Sequence, residues 1–280
     1  SKSASGFGSI PKFTHASTPS DVNCNKSLLT VFHAAPLVFR DDDENVHPVG
    51  ALDFESEKKK LTESISSGNL EIEIAYDIAT TERLQLFLAK GEGRVLHFSC
   101  HGHPDYLAIE DGWGAMHPLP VKNLKEWIST GGDNLLFVFV SACHSRSAGE
   151  AFLKAGVKHV VCCQQDDQPI RNAVAVYFAS AFYQALANGK RLGKAFELAQ
   201  HAVKNHPELH PTVRQSEVEK FALLPEGVDH HICIFQSSRR KGDMNAMNPK
   251  SFINSEKGIE ELCALTSNHI LPVPPHIFEG

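Results

Sequence analysis

The stretch Leu135-Leu-Phe-Val-Phe-Val-Ser-Ala-Cys143-His-Ser145 carries the clearest structural signal in the sequence. Six consecutive apolar residues, four of them β-branched or aromatic, predict a strand that is buried on both faces, as strands of parallel sheets are. The run ends in the small residues Ser141 and Ala142. Small residues would let the chain turn sharply there and leave the thiol of Cys143 exposed.

A second apolar run ends in an ionisable side chain in the same way. Val95-Leu-His-Phe-Ser-Cys-His101-Gly102-His103 places a histidine and a glycine directly after a short strand. About 40 residues separate His101 from Cys143, which leaves room for one crossover connection with its helix. Parallel strands of one sheet end at the same edge, and ligands bind at that edge. We therefore expect the imidazole and the thiol to lie close together.

The rest of the chain alternates strand-like and helix-like patterns. Other apolar runs of strand length lie at residues 28–32, 70–75, 157–163 and 232–235. Apolar residues recur with helical spacing at residues 54–65, 84–88, 121–128, 148–155, 172–188 and 191–205, and Thr80 or Thr81 and Gly91 are a fitting N-cap and stop for the second of these. This alternation predicts an α/β fold with three layers, in which helices cover both faces of a mainly parallel sheet.

The pairing of a thiol with an imidazole has a chemical reason. A thiol is a poor nucleophile until it is deprotonated, and a nearby imidazole can take its proton. Attack on a carbonyl group develops an oxyanion, for which backbone N–H groups are suitable donors, and Gly102 would allow close backbone approach. Two alternatives stay open on spacing alone: Cys143 could be a small buried hydrophobic residue at a strand end, and His103 could replace His101 as the base.

Composition narrows the class of protein. The chain has 280 residues, a net charge of -6 and seven cysteines. No basic run is long enough to follow a phosphate backbone, so we expect no nucleic-acid partner. No apolar run approaches the roughly 18 to 20 residues that span a bilayer, and the N-terminus lacks the pattern of a signal peptide, so we expect no membrane partner. An odd cysteine count without a repeated spacing favours a reducing compartment, the cytoplasm.

A metal site is the weaker alternative for the cysteines and histidines near the two strand ends. Zinc ligands usually come in pairs spaced as Cys-x2-4-Cys or His-x3-5-His, which residues 100–103 do not match. Adjacent residues at a strand end also point to opposite faces. We therefore expect neither a metal nor a cofactor.

The two strand ends, together with several flanking segments, resemble the CHAT domain, a caspase-like family of cysteine peptidases related to separase. The similarity covers roughly residues 28 to 236. Its other segments are the first strand and loop Leu28-Leu-Thr-Val-Phe-His-Ala-Ala-Pro36-Leu37, the hairpin Leu107-Ala-Ile-Glu-Asp-Gly112, and the helix and next strand Gly149-Glu-Ala-Phe-Leu-Lys-Ala-Gly-Val-Lys-His-Val-Val161. The paired helices around Phe182-Tyr183-Gln-Ala-Leu, Gly189 and Ala195-Phe-Glu-Leu-Ala199 complete the set. The resemblance implies a caspase-like sandwich and peptide-bond hydrolysis, with Cys143 as nucleophile and His101 as general base. It also implies an oxyanion hole made by the N–H groups of Gly102 and Cys143.

The substrate pocket departs from the family pattern. Separase-like members carry an Asp after the strand that corresponds to residues 157–163, where it helps to bind the residue before the cut. Alignment on Pro169 puts Asn172 at this position, whereas alignment on the strand end puts Asp166 or Asp167 there. A carboxylate would favour Arg or Lys in the protein or peptide substrate, and an amide would not, so the preferred residue stays open.

Three segments are expected along the chain: a flexible leader at residues 1–26, the peptidase-like domain at 27–237, and a linker at 238–280. The end of the linker, residues 271–280, resembles the lead-in to a nucleotide-binding signalling ATPase, which would lie outside this chain and regulate the domain. The alternative to a regulated endopeptidase is a catalytically silent module that signals by contact.

Overall fold

The computed structural model describes residues 27–41, 43–91, 93–164 and 169–235. The expected leader and the whole of the expected linker lie outside this part of the chain, as do the candidate pocket residues Asp166 and Asp167. The described strands are β1 (Ser27–His33), β2 (Val38–Arg40), β3 (Val46–Pro48), β4 (Ile72–Ile78), β5 (Val95–Ser99), β6 (His101–His103), β7 (Tyr106–Glu110), β8 (Met116–Pro120), β9 (Phe137–Ser141), β10 (His159–Cys163) and β11 (Phe221–Leu224). The helices are α1 (Phe54–Ser66), α2 (Thr81–Lys90), α3 (Val121–Gly131), α4 (Arg146–Lys154), α5 (Asn172–Ala187), α6 (Leu192–Lys204) and α7 (Pro211–Glu219).

A six-stranded sheet in the order β11-β10-β9-β5-β1-β4 forms the centre of the fold. The five strands from β10 to β4 are parallel, and β11 pairs antiparallel with β10. Helices α1, α5 and α6 contribute to the hydrophobic cluster on one face, and α2, α3 and α4 to the cluster on the other. The predicted mainly parallel sheet with helices on both faces is therefore confirmed.

The alternation of side chains along the central strands explains the two clusters. In β9, Phe137 and Phe139 pack against α5, whereas Val138 and Val140 belong to the opposite cluster. All four are fully buried. Burial of each such side chain contributes about 2 to 3 kcal/mol relative to exposure, which explains why an unbroken apolar run was the strongest signal in the sequence.

Helix α2 shows how local signals set an element's ends. The hydroxyl of Thr80 accepts a hydrogen bond from the N–H of Arg83 at 3.3 Å, which satisfies a free donor of the first turn. Gly91 ends the helix with φ of 60°, a left-handed conformation that glycine adopts without steric cost. Both ends agree with the prediction.

The last strand of the sheet differs from the prediction. Residues 232–235 are apolar but form no strand, and the edge position belongs to β11, which follows α7. Ile234 and Phe235 instead bury their side chains in the cluster on the α5 and α6 face. These residues are apolar because they are buried, and periodicity cannot distinguish such a short buried run from a strand.

Two small sheets stand beside the main one. β6, β7 and β8 form an antiparallel three-stranded sheet, which confirms the predicted hairpin after the histidine. β2 and β3 form a hairpin in the loop between β1 and α1. Bridges join Val38 to Ala115 and Thr80 to Glu110, so these loops lie together past the carboxyl ends of the central strands.

Candidate active site

His101 and Cys143 follow neighbouring parallel strands at the same distance from their ends. Ser99 of β5 is paired with Ser141 of β9, and each candidate residue comes two positions later. The N–H of Cys100 donates to the carbonyl oxygen of Ser141 at 3.3 Å, which extends the pairing beyond the last strand residues. The two strand ends therefore leave the sheet side by side, as the sequence predicted.

Gly102 brings the segment after β5 into direct contact with the segment after β9. A Cβ atom at position 102 would collide with the carbonyl oxygen of Cys143 and would lie 3.0 Å from the Cβ of Ala142. Only glycine fits this approach without a shift of the backbone. The expectation that Gly102 permits close backbone approach is met by this geometry.

The ring of His101 is oriented by a backbone carbonyl group. Its Nε2 atom lies 2.7 Å from the carbonyl oxygen of Gly50, in the loop between β3 and α1. A carbonyl oxygen only accepts, so Nε2 carries the proton of the neutral ring and Nδ1 keeps its lone pair. His101 is thus held in the tautomer that has one nitrogen free to accept a proton.

Exposure and burial distinguish Cys143 from most of the other described thiols. Cys143 is partly exposed, whereas Cys100, Cys162 and Cys163 are buried. Burial raises the pKa of Cys100 and of Cys162 to about 12 and that of Cys163 further still. These three thiols stay protonated near neutral pH, which leaves Cys143 and the distant, exposed Cys233 as the accessible thiols of the described chain.

The turn after Cys143 is fixed by one buried hydroxyl group. Ser145 donates from its Oγ to the carbonyl oxygen of Val140 at 3.2 Å and accepts from the N–H of Cys163 at 2.9 Å. His144 adopts φ of 51°, so the sharp turn lies one residue after the thiol and not at the small residues before it. Helix α4 begins at Arg146 and places the positive end of its dipole near the segment that carries the thiol.

His103 takes part in the hairpin beyond His101. Its ring stacks on Tyr106 with centroids 4.6 Å apart, and its Nδ1 atom accepts from the N–H of Asp105 at 3.2 Å. These contacts occupy Nδ1 of His103 within the hairpin, whereas Nδ1 of His101 has no hydrogen-bond partner in the described part of the chain.

The rim of the site contains a carboxylate and an exposed aromatic ring. Glu110 accepts the N–H of Ala35 at 2.8 Å and so ties the loop after β1 to β7. Asp111 accepts the N–H groups of Trp113 and Ala115 within the hairpin turn, which helps to hold the pKa of this carboxyl below its usual value. The ring of Trp113, in the same turn, is 93% exposed.

Other predicted residues have mixed outcomes. Trp127 packs against the α2, α3 and α4 cluster. Asn172 is the first residue of α5 and is exposed. Among the described residues, no three His, Cys, Asp or Glu side chains cluster as metal ligands would. None of the described helices is both long and apolar enough to cross a bilayer.

A buried polar cluster that the sequence pattern did not predict lies beneath the strand ends. Glu57 of α1, His97 and Ser99 of β5 and Tyr183 of α5 are each at most 6% exposed and contact one another. One signal was available: Glu57 follows Phe54 by three positions and precedes Leu61 by four, so a carboxylate interrupts the apolar stripe of a predicted helix. The Gly50 carbonyl had no signal, because every residue carries one.

Three comparisons place the chain among known proteins. A model of the CHAT domain matches residues 10–241, which confirms the resemblance seen in the sequence. No curated protein sequence matches the chain.

Solved structures with a similar arrangement of elements include caspase-1 from Spodoptera frugiperda, at 11% identity and a TM-score of 0.49 over 81% of this chain and 100% of that one. They also include the Arg-specific cysteine proteinase gingipain R, at 14% identity and a TM-score of 0.43 over 69% of this chain and 45% of that one. A complex of pro- and mature domains of RgpB from Porphyromonas gingivalis matches at 13% identity and a TM-score of 0.42, over 71% of this chain and 47% of that one. The chain thus spans less than half of either gingipain chain.

Proposed function

Because the chain belongs to the CHAT domain family, we propose that it is a caspase-like cysteine endopeptidase that hydrolyses peptide bonds through Cys143 and His101. The observation that carries the proposal is the arrangement at the edge of the sheet. A partly exposed thiol follows β9, and beside it a histidine follows β5. Its Nε2 atom is bonded to the Gly50 carbonyl, and its Nδ1 atom has no hydrogen-bond partner among the described residues. A thiol next to an imidazole that can accept a proton is the combination that nucleophilic catalysis requires.

The proposed reaction begins with transfer of the thiol proton of Cys143 to Nδ1 of His101. The thiolate attacks the carbonyl carbon of the substrate, an S–C bond forms, and the carbonyl oxygen becomes an oxyanion. When the C–N bond breaks, the imidazolium returns its proton to the departing amine. Water then attacks the thioester while His101 takes one of its protons, and the thiol is regenerated as the acid product leaves.

Hairpin geometry supports Gly102 as an oxyanion donor. His103 and Tyr106 close a two-residue turn, and pairs that close such turns exchange hydrogen bonds. The alternation of antiparallel pairs then makes Gly102 and Leu107 a non-hydrogen-bonded pair. The N–H of Gly102 consequently points away from β7, to the open side of β6. We propose that it acts there with the N–H of Cys143.

Substrate preference and regulation are further parts of the proposal. Asp166, Asp167 or Asn172 would contact the residue before the cut, and a carboxylate among them would select Arg or Lys. A fused or partner domain would control activity. One candidate is a signalling ATPase, because residues 271–280 resemble the segment that leads into such a domain. The described cysteines are free thiols, which fits a reducing, cytoplasmic location.

A peptide-like electrophile that alkylates cysteines tests the proposal. We expect it to label Cys143 in the native protein, and we expect little labelling of that thiol in a His101→Ala variant. A Cys233→Ser variant, which removes the other accessible described thiol, serves as the matched control and should label like the native protein. In parallel, a peptide library should be cut by the native protein but not by a folded Cys143→Ala variant. Cleavage that persists in Cys143→Ala contradicts the mechanism.

The same experiment separates the proposal from a silent interaction module. If Cys143 labels no faster than Cys233, even with the presumed regulatory domain added, the module is favoured and the peptidase proposal fails.

A further inference from the structure

Glu57 is a buried carboxylate without a lysine or arginine within ion-pair distance in the described chain. It projects from α1 onto the last residues of β5, where the hydroxyl of Ser99 donates to its Oε2 atom. Its Oε1 atom lies 3.4 Å from Nε2 of His97, and Nδ1 of His97 lies 3.1 Å from the hydroxyl of Tyr183. A continuous polar chain therefore runs through the core from α5 to the end of β5.

The carboxyl group of Glu57 is ionised in this setting. Burial acts to raise its pKa, but the imidazole of His97, 3.4 Å away, and the hydrogen bond from Ser99 hold the pKa below its ordinary value. Burial also raises the pKa of Tyr183 well above its ordinary value, so the tyrosine is a neutral hydroxyl. Burying a charge is costly unless hydrogen bonds compensate it, and the hydroxyl of Ser99 supplies one such bond.

The position of the cluster connects it to His101. Side chains alternate along a strand, so His97 and Ser99 share the face of the sheet that α1 covers, and His101 follows Ser99 by two residues. Seven residues before Glu57, Gly50 accepts the hydrogen bond of the His101 ring. The segment from Gly50 to Glu57 thus contacts both the last residues of β5 and the ring of His101.

We propose that Glu57 is a positioning residue for the Cys143 and His101 pair: by holding Ser99 and His97, it fixes the end of β5 against the segment whose Gly50 carbonyl orients the imidazole. The inference rests on the proposed function, since it assigns a role toward that pair. A stacked contact also attaches the start of α1 to the sheet, because the rings of Phe54 and of His33 on β1 have centroids 3.5 Å apart.

Two effects of removing the Glu57 charge have opposite signs. A negative charge disfavours a nearby thiolate, so its loss alone would favour ionisation of the Cys143 thiol. Loss of positioning would instead deprive the thiol of its proton acceptor and make it behave like an ordinary thiol. Five titratable groups contact Glu57 or have a pKa that its charge raises: His33 on β1, Tyr76 on β4, His97 on β5, Cys100 after β5 and Tyr183 on α5.

The pH dependence of Cys143 alkylation distinguishes the two effects. Rates with iodoacetamide are followed by peptide mass spectrometry, with Cys233 of the same molecules as the internal reference. For each thiol, the measured quantity is the ratio of its alkylation rate at about pH 6.5 to its rate at about pH 9. In the native protein, we expect this ratio to be at least tenfold higher for Cys143 than for Cys233. In Glu57→Gln, we expect the ratio to fall about tenfold or more, because small misplacements of a catalytic group have effects of that size.

Matched variants make the result specific. Glu55→Gln changes an exposed carboxylate on the same helix and should leave the ratio unchanged. Ser99→Ala removes one partner of Glu57 and should lower the ratio in the same direction, and the double variant should add little to either single change. Ser99→Ala also serves if Glu57→Gln does not fold, as thermal unfolding will show.

Each outcome is informative. A ratio that rises or stays constant in both Glu57→Gln and Ser99→Ala overturns the positioning role while leaving the peptidase proposal intact. A native Cys143 whose ratio equals that of Cys233 overturns the proposed function, and the role of Glu57 with it.

Discussion

Gly102 lies against Cys143 so closely that the carbonyl oxygen of Cys143 occupies the place of a Cβ atom at position 102. This contact joins the chain segments that carry the candidate base and nucleophile. It makes the relative position of His101 and Cys143 depend on the absence of a single methyl group.

We therefore expect Gly102→Ala to reduce Cys143 reactivity and to destabilise the fold by about 1 to 3 kcal/mol, the usual cost of overpacking. The measurements are the alkylation rate and the free energy of unfolding in denaturant. Gly193→Ala is the control, because a Cβ there would have its nearest contact at 3.4 Å, with the Cβ of His230. Full reactivity in Gly102→Ala would show that the two segments can separate without consequence.

The buried hydroxyl of Ser145 supports a second prediction. Ser145→Ala leaves the N–H of Cys163 without its acceptor in the core, where both residues are at most 2% exposed. We expect a loss of about 1 to 3 kcal/mol in the free energy of unfolding, the cost of an unsatisfied buried donor. Ser216→Ala removes an exposed hydrogen bond within α7 and should change stability by less than about 0.5 kcal/mol. Equal effects of the two variants would contradict the assignment of Ser145.

An ion pair between α7 and the residue before β11 is the subject of the third prediction. Nζ of Lys220 lies 3.0 Å from Oε1 of Glu217, and both side chains are nearly buried, at 6% and 5% exposure. Glu217→Ala leaves the lysine charge uncompensated, so we expect a destabilisation of about 3 to 5 kcal/mol. Glu219→Ala, on the exposed side of α7, is the control. A small effect of Glu217→Ala in denaturant unfolding would mean that Lys220 finds other partners besides the Pro169 carbonyl that it already contacts.

The paired histidines His159 and His230 should make the stability of the fold depend on pH. The Nδ1 atoms of His159 and His230 lie 3.0 Å apart, and burial lowers the pKa of both residues, with a further lowering of the His159 pKa by the charge of His230. The unfolded chain therefore binds protons first as the pH falls, so this pair stabilises the fold above the ordinary histidine pKa of about 6.5 and loses that contribution below it.

We expect His230→Gln to flatten the decline of the unfolding temperature between about pH 7.5 and pH 5.5, because it removes one of the two sites. This pH range lies above the ordinary pKa of glutamate. Protonation of Glu57, which would destabilise the fold only at lower pH, therefore does not contribute to the decline. His201→Gln, on the exposed side of α6, should keep the native pH dependence. An unchanged decline in His230→Gln would show that other groups cause it.

The sequence predicted the layers well and the edges less well. Phe137 to Val140 form the central strand, as expected, because a strand buried on both faces must be apolar throughout. The apolar pattern predicts a strand at residues 232–235 and does not predict the edge strand β11, because a short apolar run is equally compatible with a buried loop.

The sequence by itself determined the parallel sheet, the strand ends that carry His101 and Cys143, and the glycine between them. These features depend on side-chain periodicity and on residue types that are unusual at their positions, and both are local properties of a chain. Only the tertiary structure decided that the Gly50 carbonyl holds the imidazole, that Ser145 fixes the turn, and that Glu57 meets Ser99 beneath the site. Each of these is a hydrogen bond between groups that are distant in sequence, and which donor meets which acceptor is decided only when the core packs and excludes water.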